Sequence, residues 1–215
     1  MEYLYLDDFE NARLNFAKCI EVDCEDYSAL YNVVYCFDME KDHEEAIAFL
    51  NSYIDKNPYS EVAWHQLGRQ YFVLNMYNEA LTSFDYAVLI DESFIGAYLE
   101  KAKTYEQLEA YEDAIKNYMV TLELDDPTAF AYARIGECYQ ELGKPEMAIN
   151  FYKKAVHEDP LLDKGWILLT EAYHAQKDYQ KALYYISKAL KIDDNNALYW
   201  RKYSDINIKL GFYEE

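Results

Sequence analysis

Residues 61–94 read EVAWHQLGRQYFVLNMYNEALTSFDYAVLIDESF, and two helical patterns follow one another within this stretch. In WHQLGRQY (64–71), the Trp, Leu, Gly and Tyr side chains fall on one face of an α-helix. In ALTSFDYA (80–87), the two alanines and the phenylalanine again share a helical face. Asn75 stands between the two segments, and asparagine is one of the residues that adopt the left-handed conformation ending many helices. The pattern predicts a helical hairpin.

The same pattern returns along the chain with a period of 34 residues. One alanine marks every return without a slip, at Ala12, Ala46, Ala80, Ala114, Ala148 and Ala182. A period of this length is typical of repeat architectures, in which each unit packs on its neighbours. The sequence therefore predicts a single array over residues 1–215. Its units are 1–26 (partial), 27–60, 61–94, 95–128, 129–162, 163–196 and 197–215 (partial).

The small residues of the pattern have a steric explanation. Gly68 on the first helix and Ala80 on the second are expected where the helices cross, because small side chains let two backbones approach. Trp64, Tyr71 and Phe84 would fill the space on either side. The six alanines that mark the period, which we call the alanine ladder, are therefore assigned to the packing of the fold and not to ligand binding.

The repeated pattern resembles the tetratricopeptide repeat family. Its W-x2-L-G-x2-Y…A-x3-F…P signature is written, apart from the final Pro, in WHQLGRQY (64–71) followed by Ala80 and Phe84, and it recurs in YARIGECY (132–139) and WILLTEAY (166–173). The Pro position holds proline only at Pro58 and Pro160. The resemblance covers the whole chain. It implies an all-α fold, a right-handed superhelical solenoid of antiparallel helix hairpins.

The period also predicts where each helix lies. The first helix of each unit, called helix A, is predicted at 28–40, 61–74, 95–108, 129–142, 164–176 and 197–210. The second, helix B, is predicted at 9–22, 44–56, 78–91, 112–124, 146–158 and 180–192. Gly143 and Gly211 suit turns at the ends of helices, and Pro145 suits a first helical turn.

Composition and charge narrow the function classes. The 215-residue chain has a formal net charge of −20 and is 52% hydrophobic, which excludes disorder and makes nucleic acid an improbable partner. Residues 1–128 hold 27 acidic and 8 basic residues, whereas 129–215 hold 13 and 12. No apolar run approaches the length of a membrane span, and the acidic start is unlike a signal peptide. A cytoplasmic location is expected.

No catalytic, cofactor or metal motif is present. The sequence lacks GxSxG, P-loop, GxGxxG and HExxH patterns, and its four histidines fall in different units. The cysteines Cys19, Cys24, Cys36 and Cys138 lack zinc spacing and are interpreted as buried small hydrophobic residues. The chain is expected to be neither an enzyme nor a cofactor-binding protein.

What the resemblance implies is a concave groove lined by the helices A. The residues assigned to partner binding are Tyr31, Asn32, Tyr35, His65, Gln66, Arg69, Phe72, Lys103, Arg134, Glu137 and Glu141. Further lining positions are Met39, Leu99, Glu100, Glu106, Ile167, Leu168, Glu171, His174, Arg201 and Lys202. These positions are expected to be free of packing within a unit. Tyr31, Tyr35 and Phe72 are the expected anchors, because exposed aromatic side chains dominate many interfaces.

The basic residues of this set have two interpretations. Arg69, Lys103 and Arg134 could form a cationic line for an acidic peptide. Alternatively, they balance Glu100, Glu106 and Glu137.

Lys101 departs from the repeat pattern at a position that is usually apolar. Its stem is expected to pack while its amine reaches Glu100 or Glu106.

One subclass of the family does not fit. Adaptors of heat-shock chaperones grip a C-terminal carboxylate with lysine, asparagine and arginine at fixed repeat positions. In the three consecutive repeats that start at residue 61, the matching positions hold His65, Arg69, Glu100, Phe130 and Arg134. Binding of chaperone tails is therefore not expected.

The sequence thus predicts a non-catalytic scaffold that binds a peptide or helix of a partner protein. The alternative is a regulatory or targeting segment of a larger enzyme, such as a transferase or sensor kinase. A third hypothesis is self-association, because the open ends of an array leave apolar faces uncovered.

Overall fold

The computed structural model describes residues 8–125 and 128–212, and within these ranges it contains twelve α-helices and no strand. In chain order they are α1 Phe9–Val22, α2 Tyr27–Glu40, α3 His43–Lys56, α4 Glu61–Val73, α5 Tyr77–Ile90, α6 Ile95–Gln107, α7 Tyr111–Leu124, α8 Ala129–Glu141, α9 Pro145–Glu158, α10 Asp163–Ala175, α11 Tyr179–Ile192 and α12 Ala197–Leu210. The even-numbered helices are the helices A. All twelve predicted helices are present, and each observed boundary lies within one residue of its prediction.

The chain forms two compact units, each of which is larger than a 34-residue repeat. The first unit is Met1–Glu109 and the second unit is Ala110–Glu215. The prediction of a single array over 1–215 stays a prediction.

In the first unit, the buried side chains of α1 to α4 form one core around Leu30, Leu50 and Leu67. Phe84 of α5 is fully buried and belongs to a second cluster, which includes Ala97 of α6.

In the second unit, a continuous core runs from α8 to α12. Its centre contains Tyr152, Leu169, Ile186 and Ile206, and partly buried aromatic side chains pack around it. Helix α7 contributes the buried Tyr118, whose ring meets Phe130 of α8 edge-on at a centroid distance of 6.5 Å.

The close crossing of helix A and helix B is confirmed. All six ladder alanines are buried. A Cβ added to Gly68 would lie 2.4 Å from the Phe84 ring, and one added to Gly136 would lie 2.4 Å from the Tyr152 ring. The Gly136 Cβ would also come within 3.2 Å of the Ala148 carbonyl oxygen. Small residues are therefore required where an aromatic side chain of helix B crosses helix A.

Each helix A ends in a residue with left-handed backbone geometry, which turns the chain into the next helix. These residues recur at intervals of 34 as Lys41, Asn75, Glu109, Gly143, Lys177 and Gly211. The predictions for Asn75, Gly143 and Gly211 are confirmed, and Pro145 begins α9 as predicted. The other three positions show that the turn does not depend on glycine or asparagine.

Tryptophan near the start of a helix A ties that helix to the preceding loop. The indole Nε1 of Trp64 donates to the Pro58 carbonyl at 3.0 Å, and Trp166 donates to the Pro160 carbonyl at 2.9 Å. Trp200 makes the same bond to the Asp194 carbonyl at 2.7 Å. The hydrogen bond explains why an indole suits a position that is otherwise only required to be large.

The cysteine interpretation is half right. Cys36 and Cys138 are buried, as expected for small hydrophobic residues. Cys19 and Cys24 are exposed, so the expectation of burial is wrong for them. Cys19 lies on α1 and Cys24 in the loop that follows it.

Candidate functional site

Helix α2 presents a strip of exposed apolar side chains. Tyr31, Tyr35 and Met39 are separated by four residues, so they lie on one face of the helix, and they are 42%, 47% and 49% exposed. Asn32 bonds within its own helix, because its amide donates to the Ser28 carbonyl at 2.7 Å. Exposed aromatic side chains repeated along one helix face are typical of protein-binding surfaces.

Helix α4 lies in contact with α2 and carries Arg69 and Phe72. Arg69 is exposed, and its position in the repeat is equivalent to that of Tyr35. Phe72 is half-buried, with its ring tilted against Tyr77 at 5.7 Å. We call Tyr31, Tyr35, Met39, Arg69 and Phe72 the α2–α4 face.

The expectation that all groove positions are free of packing is wrong for His65, Gln66 and Leu168, and it is wrong in part for Phe72, which packs against the cluster around Phe84. His65 is 8% exposed and Gln66 is 1% exposed. The His65 ring meets Phe94 edge-on at 5.1 Å, and it lies over Gly96, where a Cβ would come within 3.5 Å of Nε2. Because Gly96 has no side chain, the imidazole fills the space between α4 and α6.

The buried His65 ring is neutral at pH 7. Burial lowers its pKa to about 4, and the nearby positive charges of Arg69 and Lys103 act in the same direction. The Gly96 backbone beside the ring offsets part of this shift. Within residues 8–125 and 128–212, neither ring nitrogen has a hydrogen-bond partner of good geometry.

Two of the three basic residues in the predicted line are neutralised by neighbours on the same helix. Lys103 pairs with Glu100 at 2.9 Å on α6, and Arg134 pairs with Glu137 at 2.8 Å on α8. Glu137 also forms an ion pair with Lys164 at 2.9 Å. These pairs favour internal charge balance over a continuous cationic line. Arg69 and Lys103 belong to the first unit and Arg134 to the second.

Arg69 differs from the other two. Its Nη1 donates to the neutral Gln66 Oε1 at 3.2 Å. No carboxylate of the described ranges lies within ion-pair distance of its guanidinium.

In the second unit, a groove of about 440 Å³ lies between α10 and α12. Four of the predicted lining residues meet there: Glu171, His174, Arg201 and Lys202. Lys202 pairs with Glu171 at 2.6 Å, and His174 Nε2 lies 3.1 Å from Asp205 Oδ2. The exposed Glu141 of α8 does not line this groove, and Leu168 is buried in the core.

Lys101 pairs with a different residue from those expected. Its amine lies 2.6 Å from Asp85 Oδ1 on α5, while its side chain is mostly buried. The prediction that the Lys101 stem packs while its amine reaches a carboxylate is confirmed. The prediction that this carboxylate belongs to Glu100 or Glu106 is wrong. Glu100 is occupied by Lys103 on its own helix.

Sequence reasoning missed a polar network that joins α2, α3 and α4. The buried Gln70 donates from Nε2 to Asp38 Oδ1 at 3.0 Å, and its Oε1 lies 2.9 Å from His43 Nδ1. One feature of the sequence could have revealed the network. Gln70 occupies the repeat position that Cys36 and Cys138 occupy in other repeats, so a polar side chain stands where a buried residue is expected. The network fixes α4 against α2 and so holds the α2–α4 face together.

Membrane spans and metal clusters are both lacking in residues 8–125 and 128–212. None of their helices combines the length and apolar composition that a membrane crossing requires. No group of three or more His, Cys, Asp or Glu side chains in these ranges could hold a metal ion.

Comparison with protein families returns one kind of repeat. Three family models match, each described as tetratricopeptide repeat, and together they take in most of the chain: residues 1–61, 95–126, 129–160 and 164–196. No curated protein matches the sequence.

Several solved structures have the same fold at low sequence identity. A structure of MamA superposes with a TM-score of 0.70 and 22% identity, covering 75% of this chain and 95% of its own. YrrB, described as a TPR protein with an unusual peptide-binding site, gives 0.68 and 22%, covering 86% and 96%. PilF of Pseudomonas aeruginosa gives 0.72 and 13%, covering 86% and 85%. At these identities the likeness establishes the fold alone.

Proposed function

The chain belongs to the tetratricopeptide repeat family, and on this premise we propose that it is a non-catalytic scaffold that binds a peptide or a helix of a partner protein. The binding surface in the first unit is the α2–α4 face. The observation that carries the proposal is the strip of half-exposed side chains on α2, Tyr31, Tyr35 and Met39. Side chains of this kind give large contact area at a low cost in conformational entropy.

The surrounding structure supports a preformed site. The Asp38–Gln70–His43 network fixes α4 against α2, so little ordering is needed when a ligand binds. The description of YrrB as a peptide-binding protein of the same fold is consistent with this mode. His65 and Gln66 are buried, so they contribute little contact area.

The other assigned residues have a secondary role in this proposal. Lys103 on α6, and Arg134, Glu137 and Glu141 on α8, lie outside the α2–α4 face. Within its own unit, each of them would adjust the charge that a bound peptide meets. A cytoplasmic location goes with the proposal, since the four cysteines are unpaired, as is usual in a reducing compartment.

The test is selection of random twelve-residue peptides displayed with free C-termini against the immobilised protein. Binding of the selected peptides is then measured by titration calorimetry. The triple variant Tyr35→Ala/Phe72→Ala/Arg69→Glu is expected to lose at least tenfold in affinity, because two anchors are removed and the charge at position 69 is reversed. Circular dichroism checks that the variant is folded.

Tyr59→Ala is the matched control. Tyr59 is a highly exposed tyrosine in the loop before α4 and lies outside the α2–α4 face. Its replacement should leave the affinity unchanged. If the folded triple variant binds the selected peptides as tightly as the wild type does, the α2–α4 face is not the binding surface.

A further inference from the structure

Helix α11 has an outer side whose charge is opposite to that of the protein as a whole. It is a helix B, and its 14 residues include three lysines and no acidic residue, in a chain of formal net charge −20. Lys181, Tyr184, Lys188 and Lys191 follow one another at spacings of three, four and three, so they share one side of the helix. We call these four residues the α11 face.

Aromatic rings hold the exposed tyrosine of the α11 face in place. Tyr184 is 56% exposed, and its ring meets Tyr185 edge-on at a centroid distance of 5.1 Å. The Tyr185 ring is in turn stacked on Tyr173 of α10 at 5.4 Å. Because these contacts fix its ring, Tyr184 can bind a partner at a low cost in conformational entropy.

Two positive charges of the α11 face are not neutralised within the second unit. In the part of the chain that the structure describes, Lys188 and Lys191 form no ion pair, whereas Lys181 pairs with Asp178 at 2.7 Å. The Lys188 amine lies over the Tyr184 ring at 5.0 Å, a contact that leaves its charge open to an anion. In so acidic a protein, these lysines mark a place where a negatively charged surface is favoured.

The repeat frame identifies a surface of opposite charge in the first unit. Helix α3 is also a helix B, and Glu45, Ala48, Ser52 and Asp55 occupy the positions that the α11 face occupies four repeats later. All four are exposed, and neither carboxylate forms an ion pair within residues 8–125 and 128–212. We call these four residues the α3 face. The charges of Glu44 and Lys56, at its two edges, cancel.

We propose that the α11 face of one copy of the protein binds the α3 face of a second copy. The spacing of both faces is the same in either chain direction, so parallel and antiparallel helices both bring Lys181 and Lys191 to the two acids. Tyr184 and Lys188 then lie over the two small side chains of the α3 face, which lets the helices approach closely. The contact goes beyond the proposed function, because neither face belongs to the α2–α4 face.

The charge of the first unit favours a second copy as the partner. Residues 1–109 contain 22 acidic and 7 basic residues, so every copy carries the acidic surface that the α11 face requires. Each copy has both faces, and the contact can therefore close a pair of molecules or repeat along a row of them. It uses the outer sides of two helices B and neither the first nor the last helix described.

The net charge of each copy determines how the contact depends on salt. At about 0.01 M salt the Debye length is about 30 Å, so two copies of net charge −20 repel each other over a long distance. At about 0.15 M it is about 8 Å, which screens this repulsion more than it weakens ion pairs in direct contact. At about 1 M the exposed pairs are weakened as well. Association should therefore be strongest at intermediate salt.

Sedimentation velocity of the intact protein, from micromolar to millimolar concentration, tests the contact. The sedimentation coefficient should rise with concentration at about 0.15 M sodium chloride and should rise less at about 0.01 M and at about 1 M. A monomer under all these conditions would refute the proposal. Association that grows steadily up to about 1 M would also refute it, because an apolar interface behaves in that way.

Two charge reversals test the faces themselves. Lys188→Glu/Lys191→Glu reverses the α11 face, and Glu45→Lys/Asp55→Lys reverses the α3 face. Each variant alone should need at least about a tenfold higher concentration to associate, because like charges then meet. An equal mixture of the two should associate as the wild type does, because opposite charges meet again. Both variants keep a net negative charge, so attraction between whole molecules does not explain such a recovery.

Lys144→Glu/Lys209→Glu is the matched control. It changes the net charge by as much as Lys188→Glu/Lys191→Glu does, but its two lysines are exposed outside the α11 face, before α9 and on α12. It should associate nearly as the wild type does. If the control loses association to the same extent, or if the mixture does not recover it, the two faces do not bind each other. Circular dichroism checks that each variant is folded.

Discussion

His65 is kept neutral by its surroundings. Its ring is buried between α4 and α6, and Arg69 and Lys103 disfavour a further positive charge nearby. The pKa is lowered from an ordinary value of 6.5 to about 4. Between these values the unfolded chain binds a proton that the folded protein does not, so protonation favours unfolding as the pH falls.

His65 should therefore make the protein less stable as the pH falls from 6.5 towards 4, and its contribution stays constant above pH 6.5. The lowered pKa of His65 corresponds to a change of about 3 kcal/mol in the free energy of unfolding, at about 1.4 kcal/mol for each pKa unit. Urea unfolding at several pH values measures it. The slope between pH 6.5 and 4 should be shallower for His65→Phe than for the wild type.

His157 provides the matched control. It is exposed on α9, and His157→Phe should leave the slope as it is in the wild type. A slope that is the same for His65→Phe and His157→Phe would contradict the assignment.

The hairpin is held by a volume match where its two helices cross. Gly68 lies against Phe84, and Gly136 lies against Tyr152. At the equivalent positions of residues 27–60, Val34 and Leu50 are both buried. A glycine on helix A thus goes with an aromatic residue on helix B, whereas a valine goes with an aliphatic one.

This match predicts that two destabilising changes partly cancel. Gly68→Val should cost about 1–3 kcal/mol by overpacking against the Phe84 ring. Phe84→Leu should cost about 1 kcal/mol or more, because it leaves a cavity. The double variant restores the combination found at Val34 and Leu50, so it should be more stable than the sum of the two by about 1 kcal/mol. Chemical denaturation of the four proteins measures this coupling.

Gly96 supplies the control for that cycle. A Cβ at Gly96 would make an ordinary contact with His65 at 3.5 Å, with no Phe84 atom among its nearest neighbours. Gly96→Ala and Phe84→Leu should therefore add to within about 0.5 kcal/mol. An equally large coupling in both cycles would show that the Gly68–Phe84 crossing is not its source.

The helices could be predicted from sequence because their determinants are local and repeated. The alanine ladder, the aromatic residues and the turn positions recur every 34 residues, so each repeat confirms the others. The burial of His65 could not be predicted in this way, since it depends on Phe94, at the end of the same repeat, and on Gly96 in the following repeat. The pairing of Lys101 with Asp85 depends likewise on the distance between two helices.

The candidate site was predictable in part. The exposed strip of Tyr31, Tyr35 and Met39 follows from helical spacing alone. The difference between Arg69 and Lys103 could have been found in the sequence, because it depends on whether the residue three positions earlier is an amide or an acid. The burial of Gln66 needs the structure, because burial is set by neighbouring helices.

For the whole molecule, charge is distributed unevenly between the two units. Residues 1–109 have 22 acidic and 7 basic residues, whereas residues 110–215 have 18 and 13. Repulsion among like charges destabilises a compact state, and salt weakens it, because the Debye length falls from about 10 Å at 0.1 M to about 3 Å at 1 M. Salt should therefore stabilise the first unit more than the second.

Hydrogen exchange followed by mass spectrometry measures both units in the intact protein. When the sodium chloride concentration is raised, exchange in α2 to α5 should slow about fivefold more than exchange in α8 to α11. This ratio corresponds to a difference of about 1 kcal/mol in the free energy of opening. Sucrose is the control, because an uncharged excluded solute should protect both units alike. Equal slowing by salt would mean that local ion pairs, such as Arg13–Glu40 at 2.9 Å, already offset the excess negative charge of the first unit.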